Sequence, residues 1–284
     1  ITSGVLTNDA TPVITGTAQV GATVSVTVAG KTYTVTASDG TWSVDTGAAS
    51  GTGTSTFTAN GSNAVSVTAT DAAGNESAAA TQTLVVDTTL PTVAITDNQE
   101  GTANGQIIYT FTFSESVSGF TADDVTVGNG TKGLFTQVSA SVYQLEVTPD
   151  AGEAGDVTVD VAGAVAVDGA GNSNSAATQS VQAFDTLAPN APVVSALASV
   201  TNDATPTITV TAEAGSTVKV YANGVLIGTA VEGDAGSYSL TAAALLDGAY
   251  SVTAVATDAS GNESAASAAQ SFTIDTVAPE VPEI

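Results

Sequence analysis

Apolar and polar residues alternate along most of this chain. In TVSVTV (Thr23 to Val28) every second residue is a valine, and a period of two puts those valines on one face of a strand. KTYTVTA (from Lys31), DGTWSVD (from Asp39) and NAVSVTATD (from Asn63) continue the pattern, with Gly, Asp and Asn between the runs. The same design returns in TITVTAEAGSTVKVYANG (from Thr207), GSYSL (from Gly236) and AYSVTAVATD (from Ala249), where Asn223-Gly224 is a strong hairpin-turn signal. AAALLDG (Ala242 to Gly248) is the exception and is read as a helical turn. Between these stretches, strands are expected in IIYTFTF (from Ile107), FTQVSASVYQLEVTP (from Phe135) and DVTVDVAG (from Asp156).

Two motifs punctuate the strands at long range. DAAGNES (from Asp71), DGAGNSN (from Asp168) and DASGNES (from Asp258) are each followed by D-T-x-x-P, at Asp87, Asp185 and Asp275. The first Asp recurs after 97 and then 90 residues, so the period is one small domain. The 284 residues therefore divide into units at 1–89, 90–187 and 188–278, with 279–284 beginning a further linker or strand. TNDATP opens the first unit at Thr7 and the third at Thr201, whereas the middle unit has TDNQEGTANG from Thr96 and reads as a second subtype. About seven strands per unit, with turn signals every 8 to 12 residues, predict an all-β protein of three tandem immunoglobulin-like sandwiches in an elongated array. Trp42, the single tryptophan, shares its register with Tyr238, so it is expected in the core rather than on a sugar-binding surface.

Charge narrows the function. There are 28 acidic residues against three lysines, with no histidine and a formal charge of −25. A nucleic-acid binder needs a basic footprint, so that class is excluded. The chain has neither histidine nor cysteine, which removes catalytic triads and thiolate metal sites, and paired carboxylates that recur once per unit behave as structural parts. Catalysis is not expected. Lys31, Lys132 and Lys219 sit at unmatched places, which speaks against isopeptide cross-links. No apolar run reaches the roughly 18 residues of a membrane span, and no insertion into a membrane is expected. The chain opens and closes in mid-pattern and reads as an excerpt of a longer array.

The acidic motifs suggest calcium, which takes six to eight hard oxygen ligands. Asp-x-x-Gly-Asn supplies a carboxylate, exposed carbonyls and an amide oxygen, although Asp, Gly and Asn are also ordinary turn formers. In the expected sandwich, the D-x-x-G-N loop lies at the leading end of a unit, while TNDATP and the Asp of D-T-x-x-P lie at the trailing end. Asp9 and Asp87 would then face Asp168 and Asn172 across the first joint. Asp185, with Asp97 and Glu100 as further candidates, would face Asp258 and Asn262 across the second. Asp71 with Asn75, and Asp203 with Asp275, are the outer half-sites. Glu115, Asp123 and Asp124 form another acidic group, read either as an added ligand near Asp168, as a separate site or as a solvated loop.

These residues resemble the bacterial Ig-like repeats of giant type-I-secreted, biofilm-associated adhesins. The carriers are TNDATP, DAAGNES and DTTLP with their third-unit counterparts, and FSESVSGFTADDVTV with DGAGN in the middle unit. The resemblance implies an extracellular stalk on a Gram-negative surface whose neighbouring Ig-like domains are stiffened by Ca2+, and whose distal domains contact a host or biofilm surface. The alternative is that one unit itself binds a host glycan or protein, with Phe120 and Phe135 as the aromatics to inspect.

Overall fold

The computed structural model describes residues 1–47 and 50–281. The first unit contains β1 (Leu6–Thr7), β2 (Val13–Thr17), β3 (Thr23–Val28), β4 (Lys31–Thr36), β5 (Thr41–Asp45), β6 (Gly61–Thr70) and β7 (Ala80–Val86). One sheet has the order β1-β7-β6-β3-β4, and β2 pairs with β5 in the other. Val24, Val26 and Val28 all point into the core, as a period of two requires.

Trp42 is buried in the same core, paired with Gly16 across β2 and β5. A Cβ on Gly16 would lie 2.2 Å from the indole ring, so the glycine makes room for the tryptophan. In the third unit the corresponding pair is Val210 with Tyr238, a smaller ring over a larger partner. Trp42 and Tyr238 are thus the same core position, filled by different pairs.

The middle unit contains β8 (Val93–Asp97), β9 (Ile107–Phe113), β10 (Val125–Gly128), β11 (Gly130–Gln137), β12 (Val142–Pro149), β13 (Ala154–Val161) and β14 (Ser180–Asp185), with one 3₁₀ turn at Ala122–Asp124. Its sheets run β11-β12-β9-β8 and β10-β13-β14. Phe111, Phe113, Phe120, Phe135 and Tyr143 form an aromatic cluster in which Phe120 is buried and meets the other four.

The third unit contains β15 (Val193–Val194), β16 (Val200–Thr201), β17 (Thr207–Thr211), β18 (Thr217–Ala222), β19 (Val225–Glu232), β20 (Ser237–Thr241), β21 (Gly248–Thr257) and β22 (Gln270–Ile274). Its two sheets are continuous, because β19 pairs first with β18 and then with β20. The turn from β18 to β19 has positive φ at both Asn223 (50°) and Gly224 (79°), as its residues predict.

Residues 242–247 contain no helical turn, contrary to the sequence expectation. The Ala242 and Leu245 amides donate instead to the Pro206 and Ala204 carbonyls, so this segment spends its backbone donors on the neighbouring loop. Residues 279–281 carry no strand, and the rest of the expected 279–284 linker lies outside the described residues.

Among the described residues three separate apolar cores result, and none shares a residue with another: Ile14 to Val86, Val93 to Phe184 and Val194 to Ile274. Each unit also runs its last strand parallel to a short early segment. β1 pairs with β7, β16 with β22, and Ala103 bridges Phe184. The early loop and the exiting strand are therefore held together at one end of each sandwich.

Candidate interdomain cation site

The D-x-x-G-N loop closes on itself in the same way three times. Asp168 accepts from the Ala170 and Asn172 amides on Oδ1, both at 2.8 Å, and from the Asn172 side chain on Oδ2 at 2.8 Å. Gly171, at φ 93°, permits the turn. Asp71 with Asn75 and Asp258 with Asn262 repeat the side-chain closure at 2.8 and 2.9 Å. Burial works to raise the Asp168 carboxyl, but the hydrogen bonds from Asn172, Ala170 and Gly171 outweigh it and hold the group below its ordinary value. The balance is the same at Asp258, where Asn262 is the chief donor.

The D-T-x-x-P segment is also built locally. Asp87, Asp185 and Asp275 each accept on Oδ1 from the amide two residues on, at 3.0, 3.0 and 3.1 Å. The following threonine ties the exit to its own unit: Thr88 to Asn60, Thr186 to the Asp150 and Glu153 carbonyls, and Thr276 to Asp247. The aspartate is thereby fixed at the trailing rim by its first oxygen, and its second is not used by this local turn.

These loops meet between units. Asn172 donates to the Asp87 main-chain carbonyl at 2.7 Å, and Asn262 to that of Asp185 at 3.0 Å. At the first meeting point carboxylate oxygens of Asp87, Glu115 and Asp168 lie within 4.8 Å of one another, the only such acidic group among the described residues. Asp168 and Asn172 are each only 6% exposed.

At an effective dielectric near 20, two ionised carboxylates at this spacing repel by roughly 3 kcal/mol. Burial, followed by the charges of Asp168 and Asp87, accordingly pushes the Glu115 carboxyl up. Oxygens that ligate one calcium at about 2.3 to 2.6 Å are at most about 5 Å apart, so three oxygens on this scale suit one ion. The donor set, hard and anionic, fits Ca2+.

The other expected ligands are placed differently. Asp9 lies outside the group, its Oδ1 accepting from the Thr11 amide at 2.8 Å, and Asp203 does the same for Thr205 at 2.8 Å. Asp97 accepts from the Gln99 amide at 2.9 Å and pairs with Tyr109 in the β8–β9 register. It is not the counterpart of Asp9. The Asp87 amide donates to Thr7 and the Asp185 amide to Ala103, so Ala103 matches Thr7, Asn104 matches Asn8 and Gly105 matches Asp9.

Asn8 and Asn104 are the recurrent contact at the joints, and the sequence reading passed over both. Their side-chain nitrogens lie 3.6 and 2.9 Å from where a Cβ on Gly171 and on Gly261 would sit. The signal was present in the Asn shared by TNDATP and TANG, but in a shifted frame. Of the loop acids, Glu115 joins Asp168, while Asp124 accepts from the Thr121 amide and hydroxyl at 2.8 and 2.7 Å and braces the 3₁₀ turn. Phe120 is core and Phe135 packs against it, so neither offers an open aromatic platform. A cavity of about 500 Å³ beside Trp42 is lined by Thr, Ser, Gly and Val with no titratable group.

At the outer ends, Asp71 is half-buried and Asn75 exposed beside a cavity of about 440 Å³ that also includes Gln19 and Glu76. Asp275 is exposed at the far end.

Known structures are similar to this chain only at low identity and low TM-score. Fibronectin(III)-like modules of Clostridium thermocellum CbhA match at 16% identity over 64% of this chain and 94% of theirs, with a TM-score of 0.34. A biofilm-associated protein BSP domain matches at 16% over 78% of this chain and 44% of that one, TM-score 0.27. Invasin, a bacterial integrin-binding protein, matches at 15% over 89% and 55%, TM-score 0.32. The chain thus spans less than two thirds of the latter two. No curated protein matches in sequence. One bacterial Ig-like domain model matches residues 2–88 and 193–276, and a second matches 87–184, in the same division between outer and middle units that the motifs draw. The chain belongs to the bacterial Ig-like domain family, as a tandem of three such domains.

Proposed function

We propose that this chain is a stalk segment of a large bacterial surface adhesin, extracellular on a Gram-negative cell, stiffened by Ca2+ at the joint between its first and second Ig-like domains. The observation that carries this reading is the convergence of Asp87 from one domain with Glu115 and Asp168 from the next. Asp87, Glu115 and Asp168 would hold the ion, with Asn172 clamping the Asp87 backbone beside it. The ion would supply the positive charge that three neighbouring carboxylates lack, and in doing so would add to the Asn172 clamp between the two sandwiches. Extracellular calcium modules work at about 10⁻⁴ to 10⁻³ M, so such a joint would fill outside a cell and be empty inside. The motif resemblance to type-I-secreted adhesins supports the array and its role in presenting a distal binding region to a host or biofilm surface.

The test is mechanical. In millimolar calcium, small-angle scattering should give an elongated rod, and a chelator should make the particle shorter or more heterogeneous. Calorimetric titration should show saturable calcium binding that Glu115→Gln weakens. A rod unaltered by chelator, with no heat of binding, would rule the calcium stalk out.

A further inference from the structure

The two joints are not chemically alike. They share the Asn-to-carbonyl clamp, but the middle residue of the D-x-x-G-N loop is Ala170 at the first joint and Ser260 at the second. The Ser260 hydroxyl donates to Oδ2 of Asp185 at 2.9 Å, across the boundary between the second and third units. Oδ1 of Asp185 already accepts from the Leu187 amide at 3.0 Å. Both oxygens of that carboxylate therefore hold donors supplied by the protein, and a charge-assisted hydrogen bond itself spans the joint.

At the first joint no side chain among the described residues donates to the Asp87 carboxylate across the boundary. Ala170 has no hydroxyl, and the Asp87 carboxylate meets two other carboxylates instead. The third unit does carry a glutamate at the place of Glu115: each lies two residues beyond the end of the corresponding strand, β9 or β17. That residue, Glu213, is exposed and does not group with Asp185 and Asp258. Burial follows the same division. Asp168 and Asn172 are enclosed at the first joint, while Asp258 and Asn262 are half-buried at the second.

We propose that the joints respond unequally to cations: the first is closed by an ion, and the second is latched by Ser260 on Asp185 and keeps its geometry when the ion is removed. The first half of this statement rests on the calcium stalk proposed above, whereas the latch stands on its own hydrogen bond. A stalk built this way keeps one fixed elbow and gains a second only when calcium is present.

The chain has no cysteine, so spin-label pairs can be introduced freely into the full three-domain protein. Thr81→Cys with Thr131→Cys reports the first joint, and Thr131→Cys with Ser239→Cys the second; all three positions are exposed. With calcium, both pairs should give one narrow distance distribution. With chelator, the first pair should lose its narrow peak and the second should keep it. Ser260→Ala should then broaden the second pair in chelator, and Ala170→Ser should make the first pair less sensitive to chelator. A second pair that broadens on chelation as much as the first, or that ignores Ser260→Ala, overturns the latch. A first pair indifferent to chelator, with the second narrow and dependent on Ser260, overturns the calcium stalk and leaves the latch standing.

Discussion

The side-chain amide of Asn172 reaches across from the second unit to the main-chain carbonyl of Asp87 in the first, at 2.7 Å. The same nitrogen also holds Asp168 at 2.8 Å. One residue therefore fixes the loop that carries a candidate ligand and registers that loop against the neighbouring domain. Because Asn172 is buried, its removal leaves both acceptors without their donor. Asn172→Ala should weaken the first joint by about 1 to 3 kcal/mol. Interdomain distances should broaden across that joint alone, while the melting of the isolated sandwich cores changes little.

Glu115 offers the cleanest test of the cation site. No hydrogen bond ties its carboxylate into the fold among the described residues, whereas Asp168 closes its own loop. Glu115→Gln should lower calcium affinity at the first joint by at least about tenfold, since it removes one charged oxygen donor from the set. In chelator the same substitution should tighten the joint, because it also removes a repelling charge. Isothermal calorimetry and scattering read the two halves of this prediction separately.

Gly16 and Trp42 are coupled by shape. A methyl on Gly16 would press on the indole, and Gly16→Val should destabilise the first unit by about 1 to 3 kcal/mol or more. Trp42→Tyr in the same chain should recover part of that loss, because Val opposite Tyr is the pair the third unit uses at Val210 and Tyr238. Circular dichroism during chemical denaturation checks both variants. A double variant whose loss equals the sum of the Gly16→Val and Trp42→Tyr losses would show that the two sites act independently.

Tyr109 is wholly buried, and its hydroxyl has no hydrogen-bond partner among the described residues. Burial, with a smaller contribution from Asp97, pushes its pKa up to about 12. A group raised on folding contributes stability that is complete below its unfolded value, near 10, and is lost as pH climbs through the folded one. The middle unit should therefore weaken between about pH 10 and 12, with one tyrosine ionising late in the absorbance at 295 nm. Tyr109→Phe should abolish that alkaline loss and be neutral or stabilising at pH 7, because it deletes an unsatisfied buried hydroxyl.

Much of the fold was legible because its rules are short-range. The valines of β3 face inward by simple alternation, and the Asn223-Gly224 turn follows from two residues that tolerate positive φ. The closed D-x-x-G-N loop is similarly local, spanning five residues. Where the reading failed, the competing partner was distant in sequence. AAALLDG has helix-forming composition, but its amides find the Ala204 and Pro206 carbonyls about 40 residues away. Asp97 stands near the place of Asp9 when the units are counted along the chain, whereas backbone pairing gives that place to Gly105.

The chain by itself thus determined three β units, the inward faces of their strands and the paired loops at their ends. Alternation and turn chemistry act within a few residues and repeat with the period. Only the stacking of one sandwich on the next decided that Glu115 joins Asp87 and Asp168, that Asp9 stays apart and that Ser260 meets Asp185. Those meetings depend on the relative orientation of whole domains. A rotation that leaves every strand intact would carry a side chain at the rim through several ångströms, and no local pattern of residues encodes it.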